Sequence, residues 1–172
     1  MIATATALGI VALNSSPKNP SVGPGTARVG GRAPNFQSWD LSGNRVSLDN
    51  LKGRPVLLTF WATSCTACQD EFPALRRILD TYQPSGFTIL AVDYRETNMG
   101  QMRQFLARLD VNFEAVIDPQ GTIAWAYGVD IGLPVNVWLD RSQIVSQIMI
   151  GEKPEAVLAA AAAQVAGAGS AS

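Results

Sequence analysis

The sequence contains no histidine and only two cysteines among its 172 residues. Without histidine, the chain excludes Ser-His-Asp and Cys-His catalysis and lacks the commonest metal-ligating side chain. A closed zinc site takes four nitrogen or sulfur ligands, so two cysteines without histidine argue against an intramolecular zinc centre. The two thiols are therefore the most informative side chains in the sequence.

An excess of charge of one sign is also missing, because 13 basic residues face 14 acidic ones. This balance gives no electrostatic case for binding nucleic acid or an anionic membrane surface. The apolar run at residues 1–13 is too short to span a bilayer and has no basic residues before it. It nevertheless resembles the end of a signal peptide or a membrane anchor, and a disordered tail is the alternative.

The composition divides the chain into three parts. Residues 1–28 are expected to form the apolar segment and a flexible linker, since Ser, Pro, Gly and Asn become frequent after residue 13. Residues 29–166 suit one domain with a substantial core. Residues 167–172 are small and polar and are expected to be disordered.

The two cysteines, Cys65 and Cys68, have the spacing C-x-x-C directly after an apolar strand predicted at 55–61. A helix is predicted to follow at 69–82, with Pro73 expected to kink or restart it. Thiols at such a junction can close a small disulfide ring, and a helix N-terminus favours a thiolate. This arrangement predicts a dithiol redox centre. A purely structural disulfide is the alternative, but a four-residue loop would stabilise the fold only weakly.

The hydrophobic pattern predicts strands that alternate with helices and end in a hairpin. Further strands are predicted at 87–93, 115–117, 135–139 and 144–150, further helices at 98–109, 122–127 and 154–165, and an N-terminal hairpin at 36–40 and 45–48. The order βαβαβαββα calls for a sheet covered by helices on both faces, with parallel central strands. Function gathers at the carboxyl ends of such strands. The thiols after Trp61 and the polar residues 94–96 are therefore expected at the same edge.

Five separate motifs agree in order and spacing with one known family. They are Gly31-Arg32-Ala33-Pro34-Asn35-Phe36, Leu51-Lys52-Gly53-Arg54-Pro55-Val56-Leu57-Leu58, Phe60-Trp61-Ala62 before the C-x-x-C, Cys68-Gln69-Asp70-Glu71-Phe72-Pro73, and Gly132-Leu133-Pro134. Across residues 29–165 the chain resembles the TlpA/ResA-like thiol–disulfide oxidoreductases of the thioredoxin superfamily. The resemblance implies an α/β, thioredoxin-like fold with a central mixed sheet, helices on both faces, an N-terminal β-hairpin and a strand–helix insertion at 93–116.

This resemblance also implies a location and partners. Such proteins are periplasmic or membrane-tethered and reduce selected disulfides there, including those of apocytochrome c or of copper-site assembly factors. The expected partners are a protein disulfide and a membrane or extracytoplasmic thiol that donates electrons, and a monomer is expected. No cofactor beyond the redox-active disulfide is implied. Ser64 and Ala67 stand where the family usually has Trp and Pro, so the reduction potential and partner choice do not transfer.

The two cysteines have different expected roles. Cys65 is nearer the helix start and more exposed, so it is expected to attack the substrate disulfide. Cys68 would then attack Cys65 and release the reduced substrate. Thr59 occupies the place of the buried aspartate of thioredoxin, so that proton acceptor is missing.

Further site residues follow from position and resemblance. Glu96 is the preferred proton acceptor for Cys68, the alternative being a solvated loop glutamate. Glu71 is the second candidate, the alternative being an exposed acid or an ion pair with Arg103 or Arg95. Leu133 and Pro134 are expected to contact substrate through a cis peptide loop, and Trp61 is expected to contribute to a substrate platform.

Two other functions use the same features. Two soft thiolates also suit Cu(I), so a metallochaperone-type module is the main alternative, and copper titration against a competing chelator would separate it from a redox enzyme. A peroxiredoxin shares much of the fold. Its signature needs Thr or Ser three residues before the reactive cysteine, where this chain has Ala62.

Overall fold

The computed structural model describes residues 21–22, 26–130 and 132–167. The strands are β1 Ser21–Val22, β2 Phe36–Trp39, β3 Arg45–Ser47, β4 Val56–Trp61, β5 Thr88–Asp93, β6 Glu114–Val116, β7 Val135–Leu139 and β8 Val145–Ile150. The helices are α1 Thr66–Tyr82, α2 Met99–Arg108, α3 Thr122–Ala126 and α4 Glu155–Gly167, with short 3-10 turns at Leu48–Leu51 and Gln83–Ser85.

The central sheet has five strands in the order β6-β5-β4-β7-β8. Strands β4, β5 and β6 run parallel, whereas β7 pairs antiparallel with β4 and β8 antiparallel with β7. Every residue of β4 is buried, because this strand lies at the centre of the sheet and is covered on both faces. The predicted mixed sheet and the order βαβαβαββα are confirmed.

The two faces of the sheet carry different layers. One face packs against α1, α2 and α4 through a core that includes Phe72, Phe105 and Leu158. The other face packs against α3 and the β2–β3 hairpin through a core that includes Phe36 and Ile123. This arrangement is the predicted thioredoxin-like α/β fold, with the hairpin and the α2–β6 insertion in their expected places.

Helix α1 differs from the prediction at two points. It begins at Thr66, three residues earlier than expected, because Cys65 caps it with its own side chain. It also continues through Pro73, so the expectation of a restart was wrong. Proline inside a helix destabilises it by about 3 kcal/mol. Close to Pro73 in the sequence, Phe72 and Leu75 are fully buried, and burial of each side chain stabilises the fold by about 1.5–3 kcal/mol. Burial of these two side chains therefore offsets the cost of the proline.

The ends of the chain were predicted less completely. Most of the expected apolar segment and linker at 1–28 lies outside the described residues. Within it, β1 pairs antiparallel with the edge of β2. At the other end α4 reaches Gly167, the first residue of the expected tail, and residues 168–172 lie outside the described part. In the described ranges, no helix has both the length and the apolar character needed to cross a membrane.

Candidate active site

The two cysteines lie at the junction between the central strand β4 and helix α1. Cys65 is the N-cap of α1, and its sulfur accepts a hydrogen bond from the backbone N–H of Cys68 at 3.0 Å. The two residues form a disulfide, with their Cα atoms 5.3 Å apart. Cys65 is partly exposed, whereas Cys68 is fully buried. Only Cys65 is therefore open to an external disulfide, as expected.

The helix position also favours the chemistry of Cys65. Once the disulfide is reduced, the N–H of Cys68 and the positive end of the α1 dipole both stabilise a thiolate at the sulfur of Cys65. The thiolate is the nucleophile in disulfide exchange. Cys68 is close enough to attack Cys65 but lies beyond the reach of a partner protein, so it suits the resolving role.

A groove of about 540 Å³ opens in front of Cys65. Its lining residues come from both sides of the β4–α1 junction and from two neighbouring loops: Ala62, Ser64, Cys65, Thr66, Ala67, Tyr94, Glu96, Gly132 and Leu133. The Leu133–Pro134 peptide bond is cis, as expected, and it leads into β7. Ser64 and Ala67 offer only small side chains to this groove, so the thiol edge is less covered than the Trp and Pro of the family motif would make it.

Glu96 reaches the site from the turn that follows β5. Its Oε1 accepts hydrogen bonds from the backbone N–H of Thr63 at 2.9 Å and from the Thr63 hydroxyl. Its Oε2 is buried and has no hydrogen-bond partner among the described residues. The carboxylate is therefore not that of a solvated loop glutamate, and Glu96 is one of the residues that line the groove in front of Cys65.

Glu71 lies one turn after Cys68 on α1 and is only 2% exposed. Its Oε1 accepts from the side-chain amide of Asn136 at 2.6 Å, and its Oε2 accepts from the backbone N–H of Lys153 at 2.9 Å. Burial raises the pKa of Glu71, while these two hydrogen bonds act in the opposite direction. Glu71 is thus a buried acid that ties α1 to β7 and to the loop before α4.

The alternatives considered for Glu71 do not hold. It is not an exposed helix acid, and within the described ranges it forms no ion pair with Arg103 or Arg95. The guanidinium of Arg103 donates instead to the carbonyl of Leu41, and that of Arg95 lies over the ring of Tyr94.

Trp61 lies in the core and not on the groove. Its side chain is fully buried, with its ring stacked on Phe105 at 5.1 Å and tilted against Phe72 at 5.7 Å. Trp61 therefore cannot contact substrate in this structure as expected, because its side chain points into the core between the sheet and helices α1 and α2. Trp138 is equally buried, whereas Trp125 is 78% exposed.

Two buried acids at this edge were not recognised in the sequence. Asp93 ends β5 and is only 1% exposed, and burial raises its pKa to about 7. Asp118 follows β6, and burial raises its pKa as well, against hydrogen bonds from the start of α3. The sequence contained one signal that Asp93 is buried: it follows the apolar residue Val92 directly, with no turn residue between them.

Comparison with known proteins agrees with the site. The AhpC/TSA family profile matches residues 29–148. ResA of Bacillus thuringiensis subsp. konkukian, named a thiol–disulfide oxidoreductase, is 36% identical over 125 residues, which are 73% of this chain and 71% of that protein. The chain belongs to the ResA family. ResA of Bacillus subtilis is 32% identical over 129 residues, 75% of this chain and 71% of its own length.

The solved structures lead to the same conclusion. A crystal structure of a DsbE-type thiol:disulfide interchange protein from Chlorobium tepidum superposes with a TM-score of 0.76 at 29% identity. The match covers 82% of this chain and 99% of that one. This ResA family member is a thiol–disulfide oxidoreductase, and Cys65 and Cys68 are its redox-active pair.

The unequal exposure of the two thiols predicts unequal trapping. Cys68→Ser should accumulate mixed disulfides through Cys65, because nothing resolves them, whereas Cys65→Ser should accumulate few, because Cys68 is buried. Non-reducing gels or intact-mass measurement after incubation with a disulfide-bonded protein would show the adducts. Equal trapping by the two single variants would contradict these roles.

The buried acids predict that stability falls as the pH rises. Between pH 4 and pH 7 the unfolded chain has lost the Asp93 proton while the folded protein keeps it, so the free energy of unfolding decreases with pH. A pKa raised from the ordinary 3.8 to about 7 makes this decrease on the order of a few kcal/mol. Urea unfolding of the oxidised protein at several pH values measures this slope. Asp93→Asn should make the dependence of the free energy of unfolding on pH shallower. An unchanged slope would contradict the raised pKa of Asp93.

Proposed function

We propose that this protein reduces the disulfides of protein substrates on the outer side of the cytoplasmic membrane and that it serves cytochrome c maturation. The direction of electron flow is supported by two carboxyl groups: Glu96 lines the same groove as Cys65, and Glu71 follows Cys68 by one turn of α1. A dithiol couple becomes a strong oxidant when its reduced form is stabilised as a thiolate. Glu96 beside Cys65 and Glu71 after Cys68 disfavour that negative charge, so they favour the disulfide and make the couple a better reductant.

The reaction proceeds in two exchanges. The Cys65 thiolate attacks one sulfur of the substrate disulfide, a mixed disulfide forms, and the other substrate sulfur leaves as a thiolate. Cys68 then loses its proton and attacks the sulfur of Cys65, which releases the second substrate thiolate. Two electrons pass to the substrate, and the Cys65–Cys68 disulfide that remains is reduced again by two thiols of a donor, which become a disulfide in turn.

Resolution needs an acceptor for the proton of Cys68, and the chain has no histidine to take it. Glu96 is our first candidate, because it lines the groove together with Cys65 and its buried Oε2 has no hydrogen-bond partner in the described structure. Glu71 is the second candidate, because it is buried on the same helix one turn beyond Cys68 and its raised pKa suits it to proton transfer. Thioredoxin has a buried aspartate at the position of Thr59. A threonine side chain is not a carboxylate, so this position cannot accept the proton of Cys68.

The location and the process rest on the family. The resemblance to TlpA/ResA-like proteins supports an extracytoplasmic place, with apocytochrome c as one class of substrate. The groove beside Cys65 supports a polypeptide partner, because a segment lying across it would meet the Leu133 loop and the thiol together.

The reduction potential tests the direction of flow. Equilibration with glutathione or dithiothreitol buffers should place the couple nearer about −270 mV than about −120 mV, the range that separates reductants from oxidants of this fold. Reduced protein should also reduce a peptide with a disulfide-bonded C-x-x-C-H motif. A potential near the oxidising end would contradict the proposal, and failure with this peptide alongside rapid reduction of insulin would contradict the cytochrome c role.

Replacement of Glu96 tests the proton acceptor. Glu96→Gln removes a negative charge near Cys65, so the thiols should ionise at lower pH, yet resolution should slow because a base is lost. Thiolate absorbance and mixed-disulfide decay against pH would show both effects, which oppose each other and which general destabilisation would not reproduce. Glu114→Gln, far from the thiols at the start of β6, is the control. If Glu96→Gln leaves both curves unchanged, the role belongs to Glu71 or to water.

A further inference from the structure

Asp93 holds two separate parts of the active edge together. Its side chain is 1% exposed at the carboxyl end of β5. One carboxylate oxygen, Oδ2, accepts the backbone N–H of Glu96 at 2.9 Å, and the other, Oδ1, accepts the backbone N–H of Asp118. The first bond fixes the turn that carries Glu96, and the second fixes the segment that leads into α3.

A series of hydrogen bonds runs from Asp93 to Thr63, two residues before the reactive cysteine. Asp93 binds the backbone of Glu96, and the Glu96 carboxylate binds the backbone N–H and the hydroxyl of Thr63. Thr63 lies two residues before Cys65, whose own N–H donates to the carbonyl of Ala62. A change in how Asp93 holds the turn therefore reaches the segment that positions the thiol.

The turn depends on such bonds because its backbone is strained. Arg95 has a φ of 63°, in the left-handed region that residues other than glycine rarely adopt. Its side chain also lies against Gly121, where an added Cβ would come within 2.7 Å of the Arg95 Nε. The turn adopts this shape only while its surroundings impose it.

We propose that Asp93 is a positioning residue for the exchange reaction, and that gain or loss of its proton controls how firmly Glu96 is held beside the thiols. The inference rests on the proposed function and deepens it. An ionised carboxylate offers lone pairs to both N–H groups. A protonated one has a hydroxyl at one oxygen, which is a poorer acceptor, so one of the two bonds weakens.

The surroundings of Asp93 place this change near neutral pH. Burial and the neighbouring acids Asp118 and Glu96 raise the pKa of Asp93 to about 7, against the two backbone hydrogen bonds. Asp118 faces it from the loop before α3, with Oδ2 bound to the N–H of Ala124 at 2.8 Å. Its Oδ1 is buried and, within the described structure, without a hydrogen-bond donor. Arg95 is the neighbouring cation, and it acts on Asp118.

The oxidised protein offers a direct test. In the disulfide form the cysteines do not titrate, and the chain has no histidine. Nuclear magnetic resonance of the Glu96, Thr63 and Asp118 amides from pH 5 to pH 9 should show a shared inflection near pH 7. Asp93→Asn should abolish it and Glu114→Gln, another acid whose pKa burial raises, should retain it. Flat amide signals, or an inflection that survives in Asp93→Asn, would overturn the proposal.

Two further measurements keep the test decisive. If Asp93→Asn does not fold, the titration of the Asp93 side-chain carbon signal in the wild-type protein serves instead, and a midpoint near the ordinary 3.8 overturns the proposal.

In the reduced protein, the rate of attack on oxidised glutathione is divided by the measured thiolate fraction and plotted against pH. The wild-type profile should change slope near pH 7, and the Asp93→Asn profile should not. A uniform decrease at every pH would mark a merely structural residue. The proposed function fails separately, through an oxidising potential or no reduction of protein disulfides at any pH.

Discussion

The junction between β4 and α1 is the constraint on which the rest of this structure depends. Strand β4 pairs with β5 on one side and β7 on the other, and all six of its residues are buried. Its end therefore cannot move without disturbing the core, and Cys65 starts α1 at a defined place. The carboxyl end of β5 and the loop before β7 then meet at this point, which brings Glu96 and Leu133 to the thiol.

The active edge concentrates buried acid groups where most proteins would avoid them. Glu71, Asp93 and Asp118 are all nearly inaccessible, and a buried carboxyl group is costly unless it is hydrogen-bonded or neutral. Each of these acids binds backbone or amide N–H groups that link separate elements: α1 with β7, β5 with the turn after it, and β6 with α3. The edge thus combines a stability cost with a rigid arrangement of proton-binding groups around two thiols.

Much of this organisation was predictable from the sequence, because it depends on local patterns. The period of the apolar residues located the five sheet strands, and the C-x-x-C spacing located the redox pair. The burial of Glu71 was not predictable, since it depends on Asn136 and on Lys153, which is 82 residues away. Trp61 was misplaced for a related reason: an aromatic residue beside the thiols faces either core or groove, and only the packing of α2 decides which.

Local rules also failed where tertiary packing outweighed them. Pro73 does not interrupt α1, because the buried side chains on either side hold the helix against the sheet. Asp93 lies inside the predicted strand 87–93, but the pattern gave no sign that its carboxylate would bind the backbone of Glu96 and Asp118. These failures cluster near the thiols, as expected where function and packing make competing demands.

The complete burial of Cys68 has a consequence for selectivity. Collapse of the mixed disulfide takes place entirely within the protein, so its rate does not depend on the concentration of any partner. A partner that has reacted with Cys65 meets a resolving thiol that no second partner can reach. The choice of partner therefore depends on the exposed sulfur of Cys65 and on the shallow opening in front of it.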